Sequence, residues 1–408
     1  MFYYLAQLFV GPGSRLFEYI TFRAGAAVII SLVISMVFGG RIIRWLQKQQ
    51  IGETVRDLGL EGQLAKQGTP TMGGIIIIMA IMVPCLLMAN LQNIYILLML
   101  LATTWMGIIG FTDDYIKVFL KNKKGLSGKS KILGQVVLGL IIGVTMLMHD
   151  EIVVQMDLKE AVDQGYVVVE SFPNEVGYTA RVKTTLTNVP FFKDQKFDYC
   201  MFLGFLGDNA AQFVWLVFVP FVILVVTAVS IAANLTDGLD GLATGVSAII
   251  GTALGVFAYV SGNVIAADYL EILYLPGTGE LVIFIACFLG ACVGFLWYNS
   301  FPAQVFMGDT GSLTLGGIIA SIAILIRKEM LIPVLCGIFL VENLSVMIQV
   351  SYFKYTKRKY GEGRRVFLMS PLHHHYQKKG MPEAKIVTRF WIVGILLAVL
   401  TLLTLKIR

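Results

Sequence analysis

The sequence predicts an all-α polytopic membrane protein with about ten transmembrane helices and both termini outside the cytoplasm. Of its 408 residues, 57% are hydrophobic and only 14% are charged, whereas soluble domains carry roughly 25% charged residues. Apolar runs of bilayer length recur along the chain, and lysine and arginine concentrate in alternate loops between them. Together these observations exclude a soluble protein.

The spans follow from the length of the apolar runs, because about 17–25 apolar residues cross a bilayer. The aromatic-rich N-terminal stretch has no basic start and predicts an interfacial helix rather than a signal peptide. Cysteines lie mostly inside apolar runs, so no structural disulfide is expected. The predicted spans are residues 24–40, 73–91, 95–111, 132–147, 210–233, 242–260, 281–297, 313–326, 331–352 and 390–405.

Basic residues orient these spans. If the N-terminus is outside, three of the inner loops, 41–72, 112–131 and 353–389, hold 21 of the 32 lysine and arginine residues. Inner loops carry such an excess in membrane proteins. An even number of spans then places both termini outside.

Two inner loops break this pattern. Loops 234–241 and 298–312 contain no lysine or arginine and instead carry Asp237, Asp240 and Asp309. Acidic residues at the ends of spans are costly and predict a functional site, with a cation completing the charge balance. The alternative for Asp237 or Asp240 alone is a helix cap. All of these acids fall on the predicted cytoplasmic face, which predicts a cleft there.

A polar insertion divides the chain into residues 1–148, 149–208 and 209–408. It carries ten acidic and five basic residues and contains β-prone patches at 166–169 and 184–189. Topology places it outside, as a small β-rich cap or partner surface. A tolerated loop insertion is an equally open interpretation.

The pair Asp113–Asp114 lies in the motif FTDDYIK. Neighbouring carboxylates repel, so a cation or a proton must compensate them. On a helix they point about 100° apart, so one can face a cleft while the other turns to a neighbouring helix or to Lys117. An ordinary intrahelical pair with Lys117 is the alternative.

Asp309 lies between glycines in FMGDTGSL, where the backbone can approach a ligand closely. Carboxylates with few competing side chains suit Mg²⁺, which uses one or two of them with phosphate oxygens and water. Asp309 is therefore the predicted metal ligand. Thr310 and Ser312 are expected to cap a helix that begins at Leu313.

Groups that suit phosphate occur on the same predicted face. GTPTMGG, preceded by Lys66, can bind an anion at a helix start. His373, His374 and His375 can bind phosphate or a transition metal, or serve a structural role, while zinc is disfavoured for lack of companion ligands. The lysines that either bind phosphate or lie on anionic lipid are Lys121, Lys123, Lys124, Lys129 and Lys131.

The combined pattern predicts phosphoryl transfer between a soluble nucleotide diphosphate and a lipid phosphate. At these residues the chain resembles the polyprenyl-phosphate N-acetylhexosamine-1-phosphate transferases, in particular the branch whose donor is UDP-N-acetylmuramoyl-pentapeptide. The resemblance covers nearly the whole chain except 149–208. The motifs that carry it are GTPTMGG, FTDDYIK, GLSGKSK, NLTDGLDGLA, FLWYNSFPAQVFMGDTGSL, PLHHHYQKKG and RFWIVG.

The resemblance implies transfer of a phosphosugar-pentapeptide from UDP-N-acetylmuramoyl-pentapeptide to undecaprenyl phosphate, with Mg²⁺ as cofactor. It implies a homodimer in the lipid of the bacterial inner membrane with periplasmic termini, and no nucleic acid as partner. The implied catalytic residues are Asp113, Asp114, Asp309 and His373, with Asp309 binding the metal. The implied substrate-binding residues are Lys66, Thr71, Lys117, Lys129, Asn234, Asp237, Asp240, Asn299, Phe306, His374 and His375.

Three alternatives remain open from the sequence. A sister transferase would use UDP-N-acetylglucosamine as donor, although the PLHHHYQKKG loop favours the muramoyl-pentapeptide donor. The reaction could be a direct attack by the lipid phosphate or a two-step route with Asp113 as covalent nucleophile. From a different class, a secondary transporter would also carry many spans, but the acids lie at span ends and no repeat is seen.

Overall fold

The structure, a computed structural model, describes residues 3, 14–49, 66, 68–174, 177–189 and 196–406. The predicted N-terminal interfacial helix and the inner loop 41–72 lie partly outside these residues. The helices of the described part are α1 (Ile20–Lys48), α2 (Gly74–Met88), α3 (Ile94–Val118), α4 (Gly128–Met148), α5 (Leu158–Asp163), α6 (Ala210–Phe213), α7 (Trp215–Thr236), α8 (Leu242–Ser261), α9 (Val264–Leu270), α10 (Leu281–Asn299), α11 (Gly308–Leu325), α12 (Ile332–Leu335), α13 (Gly337–Tyr360), α14 (Leu372–Lys378) and α15 (Glu383–Leu403).

The prediction of a polytopic membrane protein is confirmed, whereas the predicted number of ten spans is not. Within the described residues, eight helices are long and apolar enough to cross a membrane. A ninth span exists if α12 and α13 are counted together, but the chain bends there by 75°. The bend falls at Cys336, between the end of α12 and Gly337 at the start of α13, and glycine lowers the cost of interrupting the helix there. Helix α2 is apolar but has only 15 residues.

Helix α11 lies at the centre of the bundle, packed against α2, α3, α7 and α8. Its first turn is approached closely by backbone, which only glycine permits. A Cβ atom on Gly110 of α3 would lie 2.3 Å from the carbonyl oxygen of Asp309, and one on Gly74 of α2 would lie 2.1 Å from the nitrogen of Gly311. Gly110 therefore lets the end of α3 approach the start of α11, and Gly74 does the same for the start of α2.

The insertion contains strands, as the β-prone patches predict. The strands are β1 (Val154–Asp157), β2 (Val167–Asn174), β3 (Gly177–Lys183), β4 (Leu186–Asn188) and β5 (Lys196–Asp198). They form an antiparallel sheet of order β1-β3-β2 and an antiparallel pair β4-β5, with Val154 opposite Val182 and Leu186 opposite Asp198. Their buried side chains pack with Leu273 and Leu275, which precede α10.

A buried polar group joins the insertion to the helices. We call it the anchor cluster: Arg327, Lys328 and Glu329 after α11, with Asn188 and Tyr199 of the insertion. The Lys328 ammonium donates to Asn188 Oδ1, the Tyr199 hydroxyl donates to Glu329 Oε1 at 2.8 Å, and Asn188 N donates to Arg327 O at 3.2 Å. Burial lowers the pKa of Lys328 to about 7. The insertion is thus bonded to the bundle through side chains that water does not reach.

All five cysteines lie in the described part of the chain and are free.

Candidate active site

The site is built where α3 ends and α11 begins. Asp114 caps α11: its carboxylate accepts from Asp309 N at 3.1 Å, from Thr310 N at 2.8 Å and from Thr310 Oγ1 at 2.6 Å. Gly308 has φ +71°, and a Cβ there would lie 2.6 Å from Asp114 Oδ2. The expectation that Thr310 and Ser312 cap a helix beginning at Leu313 is wrong. The helix begins at Gly308 because a carboxylate from another helix satisfies its free N–H groups.

Asp113 points away from Asp114, into the gap between the helices. Its carboxylate is fully buried, lying 2.5 Å from the Lys117 ammonium one turn later and 3.0 Å from that of Lys131 at the start of α4. Its other oxygen accepts a hydrogen bond from Leu126 N at 2.6 Å. Asp114 therefore bonds to the start of α11, whereas Asp113 contacts Lys131 of α4, as their angular separation on α3 predicts.

Asp309 faces Asp113 across the two lysines. Asn234 at the end of α7 donates to Asp309 Oδ1 at 2.9 Å. Asp309 Oδ2 lies 3.2 Å from the Lys117 ammonium and also contacts the Lys131 ammonium. We call Asp113, Asp114, Asp309, Lys117 and Lys131 the carboxylate centre. Side chains of α3, α4 and α11 meet there.

The carboxylate centre fits a divalent cation. One oxygen from each of Asp113, Asp114 and Asp309 can be chosen so that all three lie within 4.8 Å of one another. Carboxylate oxygens are the donors that Mg²⁺ prefers. The ammonium groups of Lys117 and Lys131 already lie against two of these acids, which shows that the centre attracts positive charge. Within the described residues, no other such group of acids, cysteines and histidines is found.

A second polar group lies beside the centre. The Lys66 ammonium lies 2.7 Å from Asp240 Oδ1 and 2.6 Å from Glu383 Oε1 at the start of α15. Glu383 also accepts from Asp240 N at 2.8 Å. Lys66 Nζ lies 5.9 Å from the ring centre of Phe306, a cation–π contact. Lys66, Asp240 and Phe306 are thus brought together.

Backbone hydrogen bonds connect the loops that carry these residues. Asn299 is buried, accepts from Gly241 N at 3.1 Å and donates to Val305 O at 2.9 Å. Phe306 N donates to Pro70 O at 2.8 Å, beside the buried Thr71. Asn299 in this conformation connects NLTDGLDGLA to the segment before α11, and its amide has no exposed surface to offer a nucleotide directly.

The three histidines lie on α14 and have different surroundings. His373 is completely buried: its N–H donates to Glu342 Oε1 at 3.2 Å and its Nδ1 lies 3.1 Å from Glu342 Oε2. Its Nε2 is buried against Gly238, where a Cβ would lie 2.2 Å away.

His374 and His375 are half-buried. His374 Nδ1 lies 2.7 Å from Gln377 Oε1, and His375 Nδ1 accepts from Leu368 N at 3.1 Å. Burial is the main cause that lowers the pKa of His374 to about 4, helped by the nearby charges of His373 and Lys66. His374 is therefore neutral at physiological pH and faces the Lys66 group.

The remaining predicted residues are Lys129 and Asp237. Lys129 is exposed on the first turn of α4, and the ion pairs with the acids are made by Lys131. Asp237 is half-buried at the end of α7.

Sequence reasoning missed Glu342 and Glu383. Glu342 had a signal, because a carboxylate inside the predicted span 331–352 is itself unusual. Glu383 had none, since an acid at the start of a helix is common.

Comparison with known proteins agrees with this geometry. The family model described as glycosyl transferase family 4 matches residues 96–327, and the model described as phospho-N-acetylmuramoyl-pentapeptide-transferase signature 1 matches residues 66–78. The first model covers α3 to α11 and the second the Lys66 segment.

Relatives named phospho-N-acetylmuramoyl-pentapeptide-transferase match over the full length. That of Flavobacterium psychrophilum is 58% identical over 411 residues, covering 100% of this chain and 99% of the relative. That of Parabacteroides distasonis is 58% identical over 423 residues with the same coverage, and that of Phocaeicola vulgatus is 52% identical over 429 residues, covering 100% of both chains. The chain therefore belongs to the phospho-N-acetylmuramoyl-pentapeptide-transferase family.

Proposed function

We propose that this protein transfers phospho-N-acetylmuramoyl-pentapeptide from its UDP donor to undecaprenyl phosphate, giving lipid I and UMP for peptidoglycan synthesis. The observation that carries the proposal is the carboxylate centre, in which three acids and two lysines meet in a chain that is more than half identical to transferases of this name. Anionic phosphates need cations around them, and the centre supplies lysines and a site for a metal.

The residues have distinct roles. Asp113 orients the acceptor phosphate, and Asp309 is the principal ligand of Mg²⁺, with Asp114 holding its helix. Lys117 and Lys131 screen the charges of the phosphates once substrate displaces them from the acids. His373 takes part in the reaction, and Asn299 holds the donor-binding loops in place. The residues that bind the donor are Lys66, Thr71, Lys129, Asn234, Asp237, Asp240, Phe306, His374 and His375.

The chemistry favours direct transfer. A phosphate monoester has a second pKa near about 6, so the acceptor is already largely dianionic at neutral pH and needs no strong base. The main barrier is repulsion between two anions. Mg²⁺, when bound, neutralises charge on the phosphate oxygens. Lys117 and Lys131, each touching both Asp113 and Asp309, are placed to do the same from the protein side.

The membrane setting extends the same proposal. The protein crosses the bacterial inner membrane ten times as a homodimer, with its termini in the periplasm and the carboxylate centre on the cytoplasmic face. Residues 1–148 and 209–408 form the catalytic membrane domain, and residues 149–208 form an external unit. The supporting observations are the basic loops and the helices found at each predicted span.

The test is release of UMP by purified protein with undecaprenyl phosphate and Mg²⁺, with each UDP-sugar offered separately. Release from UDP-N-acetylmuramoyl-pentapeptide alone supports the proposal. Release from UDP-N-acetylglucosamine instead would assign the protein to the sister reaction. No release from either donor, together with substrate flux in proteoliposomes, would replace the enzyme with a transporter.

A further inference from the structure

A basic cavity lies apart from the carboxylate centre. Its volume is about 490 Å³, and it is lined by α13, by the segment that follows it and by the end of α14. Three of the lining residues are cations, Lys354, Arg365 and Lys378, and none of the lining residues is acidic. Residues 354–379 contain eight lysine and arginine residues against a single acid, Glu362. The cavity is therefore built for a negatively charged group.

The wall that carries Arg365 is held in place from two sides. Gln349 of α13 is buried, and its side chain accepts from Val366 N and Phe367 N at 3.0 Å each and donates to Phe367 O at 3.1 Å. On the α14 side, Leu368 N donates to His375 Nδ1 at 3.1 Å. A segment fixed by these hydrogen bonds presents its cation without a large ordering cost when a ligand binds.

The other part of the lining is apolar and continues onto an exposed helix face. Val350, Phe353 and Leu368 line the cavity and are 38–52% exposed. Along α13 the exposed apolar surface continues through Met347 and Ile348. In a membrane protein such a face lies against acyl chains, and a basic pocket where that face ends lies at the level of lipid head groups.

We infer that this cavity binds the phosphate head group of an anionic membrane phospholipid, whose acyl chains lie along the exposed face of α13. A soluble inorganic phosphate has no apolar part that could contact the apolar lining. The acceptor lipid is a different molecule, because its phosphate reacts at the ends of α3 and α11 and neither helix lines this cavity. Lipid binding would stabilise the conformation of residues 366–368. Through the hydrogen bond from Leu368 to His375, it would also stabilise α14, which carries the three histidines of the candidate site.

The experiment counts phosphatidylglycerol molecules retained by the full-length protein, using native mass spectrometry from phosphatidylcholine nanodiscs that contain increasing fractions of phosphatidylglycerol. The test variant is the double substitution Lys354→Ala and Arg365→Ala. The matched control is Lys357→Ala and Arg358→Ala, which removes the same two residue types from the basic segment outside the lining. These side chains are all exposed, and unfolding midpoints in pure phosphatidylcholine check that both variants fold.

We expect the test variant to bind phosphatidylglycerol roughly tenfold or more weakly, since each basic residue near a membrane surface contributes measurably to anionic lipid binding. The control should bind like the unsubstituted protein. Equal weakening in both variants would overturn the proposal, since it would reflect general surface charge. Unchanged lipid retention in the test variant would also overturn it, and a raised KM for undecaprenyl phosphate or for the donor would then assign the cavity to a substrate.

An effect of the lipid on turnover rests on the proposed function, whereas its binding does not. With the function intact, phosphatidylglycerol should raise UMP release by the unsubstituted protein and the control but not by the test variant. If neither the unsubstituted protein nor any variant releases UMP, the transferase proposal fails. The measured lipid retention still tests the proposal that the cavity binds an anionic phospholipid.

Discussion

The carboxylate centre and the anchor cluster both place several charged side chains among apolar helices, but they differ in how much of those side chains water can reach. At the anchor, Arg327, Lys328 and Glu329 are each 2% exposed. At the centre, the side chains of Lys117 and Asp309 are 35% and 16% exposed. The anchor is closed to water, whereas the centre is open to it on the side of Lys117 and Asp309 and closed on the side of Asp113 and Asp114.

The partners differ as well. Lys328 donates to the neutral Asn188, and Glu329 accepts from the neutral Tyr199. At the centre, Asp113 and Asp309 share the same two lysines, so like charges lie close together on both sides. Crowded like charges oppose folding, and a site tolerates them where binding uses them. This difference supports the proposal that the carboxylate centre binds and transfers phosphate, whereas the anchor cluster stabilises the fold.

The largest expected effect comes from removing the metal. Chelation should lower UMP release by about 10³-fold or more, because a metal supplies several kcal/mol of charge stabilisation in the transition state. Restoring Mg²⁺ should restore the rate. Mg²⁺ should also raise the unfolding midpoint by relieving repulsion among the acids. Full activity in chelator would show that the lysines suffice and that the centre needs no metal.

The next largest effect is a difference in stability between two variants of the anchor cluster. Asn188→Ala leaves the buried Lys328 ammonium without its acceptor and should lower the free energy of unfolding by about 3 kcal/mol. Lys328→Met removes the charge as well and should cost less than about 1 kcal/mol. Denaturant unfolding in detergent measures both, with the exposed Lys129→Met as control. Equal losses in the two anchor variants would mean that the charge itself stabilises the fold.

The pKa of Lys328 sharpens this test. Because burial lowers it from 10.5 to about 7, the unfolded chain binds more protons than the folded one between these values. The contribution of this group to stability should therefore rise with pH from about 7 to 10.5 and be lost as pH falls through the same window. The slope should vanish in Lys328→Met.

A smaller effect is expected at Glu342, which holds His373 by two contacts. Glu342→Ala should lower kcat roughly tenfold with little change in KM, because the ring loses the acceptor that fixes its orientation and tautomer. Glu342→Gln keeps an acceptor oxygen and should recover most of the rate. If both variants lose stability but not rate per folded molecule, Glu342 is a structural residue only.

The smallest effect concerns His374. Its pKa is about 4 in the folded protein and 6.5 ordinarily, so the unfolded chain takes up a proton first as pH falls. Stability should decline as pH drops from 6.5 towards about 4, and His374→Asn should lessen that decline. The free energy of unfolding measured against pH checks this. If the unsubstituted protein and His374→Asn show the same dependence of stability on pH, His374 is exposed to water in the folded protein.

Much of the site could be predicted because its acids are exceptional in an apolar chain. Asp113, Asp114 and Asp309 were identifiable from their positions at span ends, but their meeting depends on the close contacts at Gly110 and Gly74, which no local pattern reveals. The choice of Lys131 over Lys129 for the ion pairs depends on which side of α4 faces the bundle, and both residues lie in the same basic run.

The span count shows a similar limit. Apolar length predicted one span over 331–352, and the chain bends by 75° between α12 and α13. Hydropathy records how apolar a run is and does not record its direction. The anchor also escaped prediction, because Arg327, Lys328 and Glu329 look like an ordinary polar loop until the insertion covers them.

The most direct test of the comparison is Asp309→Asn, with the rate of UMP release and the free energy of unfolding measured on the same preparation. The amide keeps the shape and the hydrogen-bonding oxygen but removes the charge that binds the metal. We expect a rate about 10³-fold lower or more, with only a modest loss of stability, because relief of the repulsion from Asp113 partly offsets the lost ion pairs with Lys117 and Lys131. A variant that keeps its rate, or that loses rate only in proportion to its unfolding, would contradict the assignment of the reaction to this centre.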